Sequence, residues 1–96
     1  MTLLSGAEIQ TALTALPGWS YRDGKLHREY RFPDFSRAIA FMAAAVPAIE
    51  QLDHHPEWSN VYNRVAVSLT THHSGGVTRK DFELARILEP LAAQLS

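Results

Sequence analysis

The sequence predicts an α+β fold in which a four-stranded antiparallel sheet carries three helices packed on one face. Apolar residues recur at helical spacing in three segments, and between these segments the period changes to two, as in strands. The predicted order is helix, two strands, helix, two strands, helix. Two hairpins joined by a helix favour a single antiparallel sheet with the helices on one side.

The first helix is predicted to begin after Ser5, because a serine three residues before Glu8 forms a capping arrangement typical of a helix start. Pro17-Gly18 ends this helix. The residues expected to face the core are Ile9, Ala12, Leu13 and Leu16.

Two hairpins are predicted. The first spans residues 19–32 and turns at Asp23-Gly24, a pair that tolerates positive φ. Its second strand puts His27 on the face expected to meet solvent. The second hairpin spans residues 60–71, with Asn63 near its turn. One face and the edges of so small a sheet stay uncovered, so we expect self-association.

The second helix is predicted to begin after Asp34, which is a good N-cap. Pro47 lies inside this helix, where its missing N–H and its ring are expected to kink or break it. The apolar stripe expected to form the core face consists of Phe35, Ala38, Ile39, Met42, Ala45, Val46 and Ile49.

The last helix is predicted to open at Thr78, because Asp81 follows three residues later in a second capping pattern. Pro90 is expected to kink this helix or to end it early. The residues expected to face inward are Phe82, Ala85, Leu88 and Leu91.

Length and charge exclude several classes of protein. The chain has 96 residues, nine basic and ten acidic, which predicts a single domain over residues 1–96. No run of like charge offers a phosphate-binding stripe, so nucleic acid is not expected as a direct ligand. The lack of cysteine excludes a thiolate nucleophile. No membrane partner is expected, and the predicted location is the cytoplasm.

Histidine is the unusual residue type. The chain has five, and four of them lie within twenty positions, at His54, His55, His72 and His73. An unperturbed pKa of about 6.5 suits imidazole to taking up and releasing protons at neutral pH. Of the five, His27 and His73 are expected to be bystanders.

The pattern around the other three histidines leaves two uses open, proton transfer and metal binding. Glu50, Asp53 and His54 stand at i, i+3 and i+4 and would share one face of a helix. No recognised metal-binding spacing is present, so we expect proton transfer without a metal. Asp81 is already explained as a capping acid. Trp58 and Tyr62 fit either a core or a planar ligand.

These residues resemble the signature of the pterin-4a-carbinolamine dehydratases. Glu50 stands four residues before His54-His55-Pro56, and Trp58 follows the proline at the second position. Tyr62 lies six residues after Pro56, His72 ten after Tyr62, and Asp81 nine after His72.

The resemblance implies dehydration of 4a-hydroxytetrahydropterin to quinonoid dihydropterin and water by acid–base catalysis, without a metal or an organic cofactor. It implies that His54, His55 and His72 carry the acid, base and binding roles of the catalytic set. Among them we expect His54 and His72 to form the acid–base pair and His55 to help hold the pterin. The resemblance assigns binding or supporting roles to Glu50, Asp53, Pro56, Trp58 and Asp81, with Trp58 against the pterin ring.

The resemblance also implies a homo-oligomer, either a dimer or a tetramer. A non-catalytic interaction module that stabilises a partner protein is the alternative hypothesis.

Overall fold

The predicted α+β class is confirmed in a computed structural model, which describes residues 2–96. The helices are α1 (Gly6–Leu13), α2 (Phe35–Leu52) and α3 (Arg79–Leu95). The strands are β1 (Ser20–Arg22), β2 (Lys25–Arg31), β3 (Glu57–Val61) and β4 (Arg64–Leu69). A short 3₁₀ helix, His72–Ser74, follows β4. Among the residues described, no helix is both long enough and apolar enough to cross a bilayer.

The four strands form one antiparallel sheet in the order β1-β2-β4-β3. Leu26 lies opposite Leu69 and Tyr30 opposite Val65, and all four are buried under the helices. Alternate residues, His27 among them, lie on the other face, as expected from the period of two. The two central strands, β2 and β4, therefore carry most of the sheet's share of the core.

The first helix begins as predicted, with the reciprocal Ser5–Glu8 capping box in place. It ends at Leu13, so Leu16 is buried from the turn that follows and not from the helix itself. Gly18 closes this turn with φ of +94°, and a side chain there would also collide with the guanidinium of Arg28. Only glycine meets both demands.

The prolines break neither long helix. The helix α2 runs unbroken past Pro47 to Leu52, and α3 continues past Pro90 to Leu95. Both prolines are exposed, and buried residues on either side of each hold the helix against the core. The packing of α2 and α3 therefore outweighs the hydrogen bond that each proline removes.

The predicted core stripe of α2 is partly wrong. Its buried residues are Ala38, Phe41, Ala45 and Ile49. Phe35, Ile39 and Val46, which were expected in the core, are about half exposed, at 50%, 42% and 47%. The helix carries two adjacent apolar stripes, and the fold of this chain covers only the one that contains Phe41.

A partly buried polar cluster joins β2 to α3. The Glu89 carboxylate accepts hydrogen bonds from the Tyr30 hydroxyl and, at 3.2 Å, from the Trp19 indole. Arg28 lies 3.6 Å from the same carboxylate and 4.5 Å above the Tyr30 ring. Burial, together with the hydrogen bond to Glu89, raises the pKa of the Tyr30 phenol.

The raised pKa of Tyr30 predicts a loss of stability in alkali. A group with a raised pKa stabilises the fold fully below its unfolded value, about 10 for tyrosine, and this contribution is lost as the pH rises above it. In Tyr30→Phe we expect unfolding free energy to fall by about 1–2 kcal/mol at neutral pH, because Glu89 loses a donor. The variant should then lose less stability than the native protein between neutral pH and about pH 11. Urea unfolding measures both, with exposed Tyr21→Phe as the control. If native protein and Tyr30→Phe lost the same unfolding free energy in alkali, the raised pKa of Tyr30 would be contradicted.

Candidate active site

The end of α2 turns the chain so that His54 points into the protein. Asp53 adopts the left-handed conformation, with φ of 49°, and its N–H donates to the Glu50 carbonyl. The His54 N–H reaches back to the Ile49 carbonyl at 3.2 Å. This pair of bonds is the Schellman ending, with aspartate at the position where glycine is commonest. It buries His54, which is only 8% exposed.

The His54 ring meets the buried carboxylate of Asp81. Its Nε2 lies 2.6 Å from Asp81 Oδ1, and Asp81 is fully buried. The other carboxylate oxygen, Oδ2, accepts the Thr78 backbone N–H at 2.8 Å and the Thr71 hydroxyl at 2.9 Å. The capping role predicted for Asp81 is therefore confirmed, and the same side chain also holds a histidine.

This pairing selects one tautomer of neutral His54. A carboxylate only accepts hydrogen bonds, so Nε2 carries the proton that it shares with Asp81. The lone pair then lies on Nδ1, which becomes the basic atom of the ring. A buried carboxylate that fixes a histidine in this way also stabilises the imidazolium formed when Nδ1 takes up a proton.

His55 lies outside the core, next to the end of α2. Its Nε2 is 3.0 Å from Glu50 Oε1, and both side chains are more than half exposed. Pro56 follows His55 and leads into β3, so His54 and His55 leave the helix end in different environments. Glu50 therefore pairs with the exposed histidine and not with the buried one.

His72 begins the short 3₁₀ helix that follows the second hairpin. Its Nε2 lies 3.1 Å from Glu57 Oε2, at the start of β3. The other oxygen of Glu57 accepts from Lys25 Nζ at 2.7 Å. The Lys25 hydrogen bond, helped by the charges of Lys25 and His72, lowers the pKa of Glu57, which keeps this carboxylate ionised beside His72.

Five of the proposed site residues thus meet partners at one end of the sheet, and the others stand apart. Trp58 is half-buried and packs against the core, in a T-shaped contact with the Phe41 ring. Asp53 is exposed and ends α2. Tyr62, matched in the sequence signature, lies in the turn at the far end of β3 and is 65% exposed.

The metal alternative finds no ligand set in residues 2–96, where no three His, Asp or Glu side chains converge to hold an ion. Glu50, Asp53 and His54, which share a helical spacing, have separate surroundings: Glu50 meets His55, and His54 meets Asp81. The Schellman turn at Asp53 is the cause, because it directs His54 away from the face that carries Glu50.

Two further residues join the site without having been predicted. Glu57 follows Pro56 within the signature segment, yet only the strand register shows that it reaches His72. Thr71 precedes His72 in sequence, and its hydroxyl reaches Asp81. The sequence signal for Thr71 was its place next to His72, and for Glu57 its place two residues after His55.

The site as built is a set of three imidazoles, each paired through Nε2 with its own carboxylate: His54 with Asp81, His55 with Glu50, and His72 with Glu57. Every Nδ1 is thereby the ring atom opposite the carboxylate. Such a set can accept protons from a bound molecule and donate protons to it. Several elements of the fold together supply its residues.

The fold and the three imidazole–carboxylate pairs define a small α+β protein with a histidine site at one end of its sheet. Comparison with known proteins identifies its family. Residues 2–91 match the model of the family described as pterin 4 alpha carbinolamine dehydratase. The chain belongs to this family.

Relatives and a solved structure agree with the family match. A Solibacter usitatus protein named "putative pterin-4-alpha-carbinolamine dehydratase" is 54% identical over 96% of this chain and 97% of its own. A Rhizorhabdus wittichii protein of the same name is 50% identical over 93% and 94%. A crystal structure from Brucella melitensis, described as a transcriptional coactivator/pterin dehydratase, is 46% identical, with a TM-score of 0.92 over 95% of this chain and 99% of that one.

Proposed function

We propose that this protein dehydrates 4a-hydroxytetrahydropterin to quinonoid dihydropterin and water. The observation that carries the proposal is the set of three imidazoles, each held by its own carboxylate at one edge of the fold. The family match and the names of the relatives supply the substrate class. The product is the form from which a reductase regenerates tetrahydropterin, so the reaction serves cofactor recycling.

The reaction needs two proton transfers and nothing else. The 4a-hydroxyl leaves as water when an acid protonates its oxygen, and the electron pair of the N5–H bond forms the new double bond when a base removes that proton. Positioned acids and bases typically contribute about 10²–10⁴-fold each. Imidazoles that change protonation near neutral pH suit both steps.

The surroundings of the three histidines support a different role for each: base, acid and binding group. His54 is the base, because its Nε2–H is committed to Asp81 and its Nδ1 carries the lone pair. His72 is the acid, since it is exposed and the ionised Glu57 can hold its imidazolium. His55 holds the pterin, with Glu50 orienting its ring.

The remaining roles are supporting ones. Pro56 keeps His55 in extended backbone at the start of β3. The half-buried Trp58 offers its exposed surface to the pterin ring. Asp53 shapes the helix end that directs His54 inward. The expected cytoplasmic location stays a prediction.

We also propose that the chain forms a homo-oligomer through the second stripe of α2, defined by Phe35, Ile39 and Val46. These residues stand at i, i+4 and i+11 of one helix, share a face, and are about half exposed. An apolar stripe of this kind is typical of an interface with another helix.

The same stripe, with the coactivator description of the Brucella melitensis structure, supports a partner-binding module as the second candidate function.

Replacement of the catalytic histidines tests the activity. We expect His54→Ala and His72→Ala each to lower the dehydration rate by about 10²–10⁴-fold, because each removes one proton-transfer group. Stopped-flow measurement of carbinolamine loss reports the rate, and circular dichroism reports folding. His73→Ala, in the same 3₁₀ helix as His72, is the matched control and should keep the native rate. Native rates in both folded variants would rule out the proposed chemistry.

Charge on the second stripe tests the oligomer. We expect native protein to sediment as a dimer or larger assembly and Ile39→Lys to sediment as a smaller species, because a buried unpaired ammonium opposes association. Ala40→Lys adds the same charge to an exposed position of α2 outside this stripe and should leave the assembly intact. A native protein that sediments as a monomer at micromolar concentration would refute the interface.

A further inference from the structure

We infer that Thr71 is a positioning residue that links the two proposed proton-transfer groups of the site, the imidazoles of His54 and His72. The expected effect on kcat rests on the proposed dehydration. The expected effect on the orientation of His54 does not depend on it. Thr71 is 6% exposed, follows the end of β4, and immediately precedes His72. Its hydroxyl bonds to Thr78 and Asp81, so it acts on the histidines through its neighbours.

The backbone of Thr71 holds the turn that carries His72. Its N–H donates to the Gly76 carbonyl at 2.9 Å, and its own carbonyl accepts the N–H groups of Ser74 and Gly75, both at 3.0 Å. Thr71 and Gly76 form an isolated antiparallel bridge. The four residues 72–75 between Thr71 and Gly76, which include the imidazole of His72, are thus held in a loop that closes on Thr71.

The side chain of Thr71 bonds to the carboxylate that holds His54. Thr71 is the N-cap of the 3₁₀ helix, where a threonine hydroxyl commonly accepts from a backbone N–H of the helix it starts. Here the hydroxyl makes no such cap. It donates to Asp81 Oδ2 at 2.9 Å, on the carboxylate whose other oxygen holds His54.

The direction of this hydrogen-bond chain follows from the count of protons. The Thr71 hydroxyl has one hydrogen, which goes to the acceptor-only carboxylate, so the 2.7 Å contact with Thr78 needs the hydrogen of Thr78. The order is therefore Thr78 to Thr71 to Asp81, with His54 donating to the far oxygen. A buried chain of hydrogen bonds that ends on one carboxylate fixes the plane of that carboxylate and, through it, the His54 ring.

Removal of the hydroxyl alone tests the coupling. In Thr71→Val we expect a roughly tenfold fall in kcat, because one hydrogen bond that orients the base is lost, while KM is unchanged. The NMR resonance of the His54 Nε2–H proton should move, since its acceptor is no longer held. Thr71→Ser restores the hydroxyl and should recover both the rate and the resonance.

Thr70→Val is the matched control. Thr70 is a neighbouring buried threonine whose hydroxyl donates to the Gly24 carbonyl at 3.1 Å, outside this network. It should lose stability as Thr71→Val does, yet keep the native kcat and His54 resonance. An unchanged His54 resonance in Thr71→Val, or equal effects in Thr70→Val, would overturn the inference.

A measurement on the native protein keeps the test decisive if Thr71→Val fails to fold. A hydroxyl proton donated to a buried carboxylate exchanges slowly with water, so the Thr71 hydroxyl should give its own proton resonance. Rapid exchange of this proton would contradict the inference. If native protein does not accelerate dehydration, the proposed function fails, and the NMR resonances alone decide the role of Thr71.

Discussion

The buried carboxylate of Asp81 is the group on which the rest of the site depends. A fully buried charge is costly unless hydrogen bonds replace its water, and here the first turn of α3, the Thr71 hydroxyl and the His54 ring supply them. The N-terminus of α3 also favours a negative charge at this position. One side chain therefore caps a helix, joins the ends of α2 and β4 to α3, and selects the tautomer of His54. Packing and chemistry cannot be altered separately at this residue.

The three imidazole–carboxylate pairs differ in burial, and this difference suits them to the different roles proposed for them. The pair of His54 and Asp81 is enclosed and rigid, as a base needs to be if its lone pair is to point at one atom. The pairs formed by His55 and His72 are largely exposed, so they can adjust to a ligand and exchange protons with water. A rigid imidazole beside two adaptable ones suits the proposed reaction, which releases water and needs no other reactant.

Local features of this fold could be predicted from sequence, whereas contacts between distant segments could not. The two capping boxes, at Ser5 and Thr78, depend on residues three apart and are confirmed. The capping role explained Asp81 so completely that nothing local indicated its contact with His54, 27 residues away in sequence. The pairing of Glu57 with His72 depends on strand register, and the choice between two apolar stripes of α2 depends on what packs there. A helical period shows that a face exists, but does not show which of two adjacent faces the fold covers.

The central claim is that Asp81 fixes His54 as a base through Nδ1, and the tautomer of His54 tests it most directly. Long-range ¹H–¹⁵N NMR of native protein, at a pH where the ring is neutral, distinguishes the protonated ring nitrogen from the one with a lone pair. We expect a proton on Nε2 and a lone pair on Nδ1. A neutral His54 with its proton on Nδ1 would contradict it, because the nitrogen facing Asp81 would then have no hydrogen to donate.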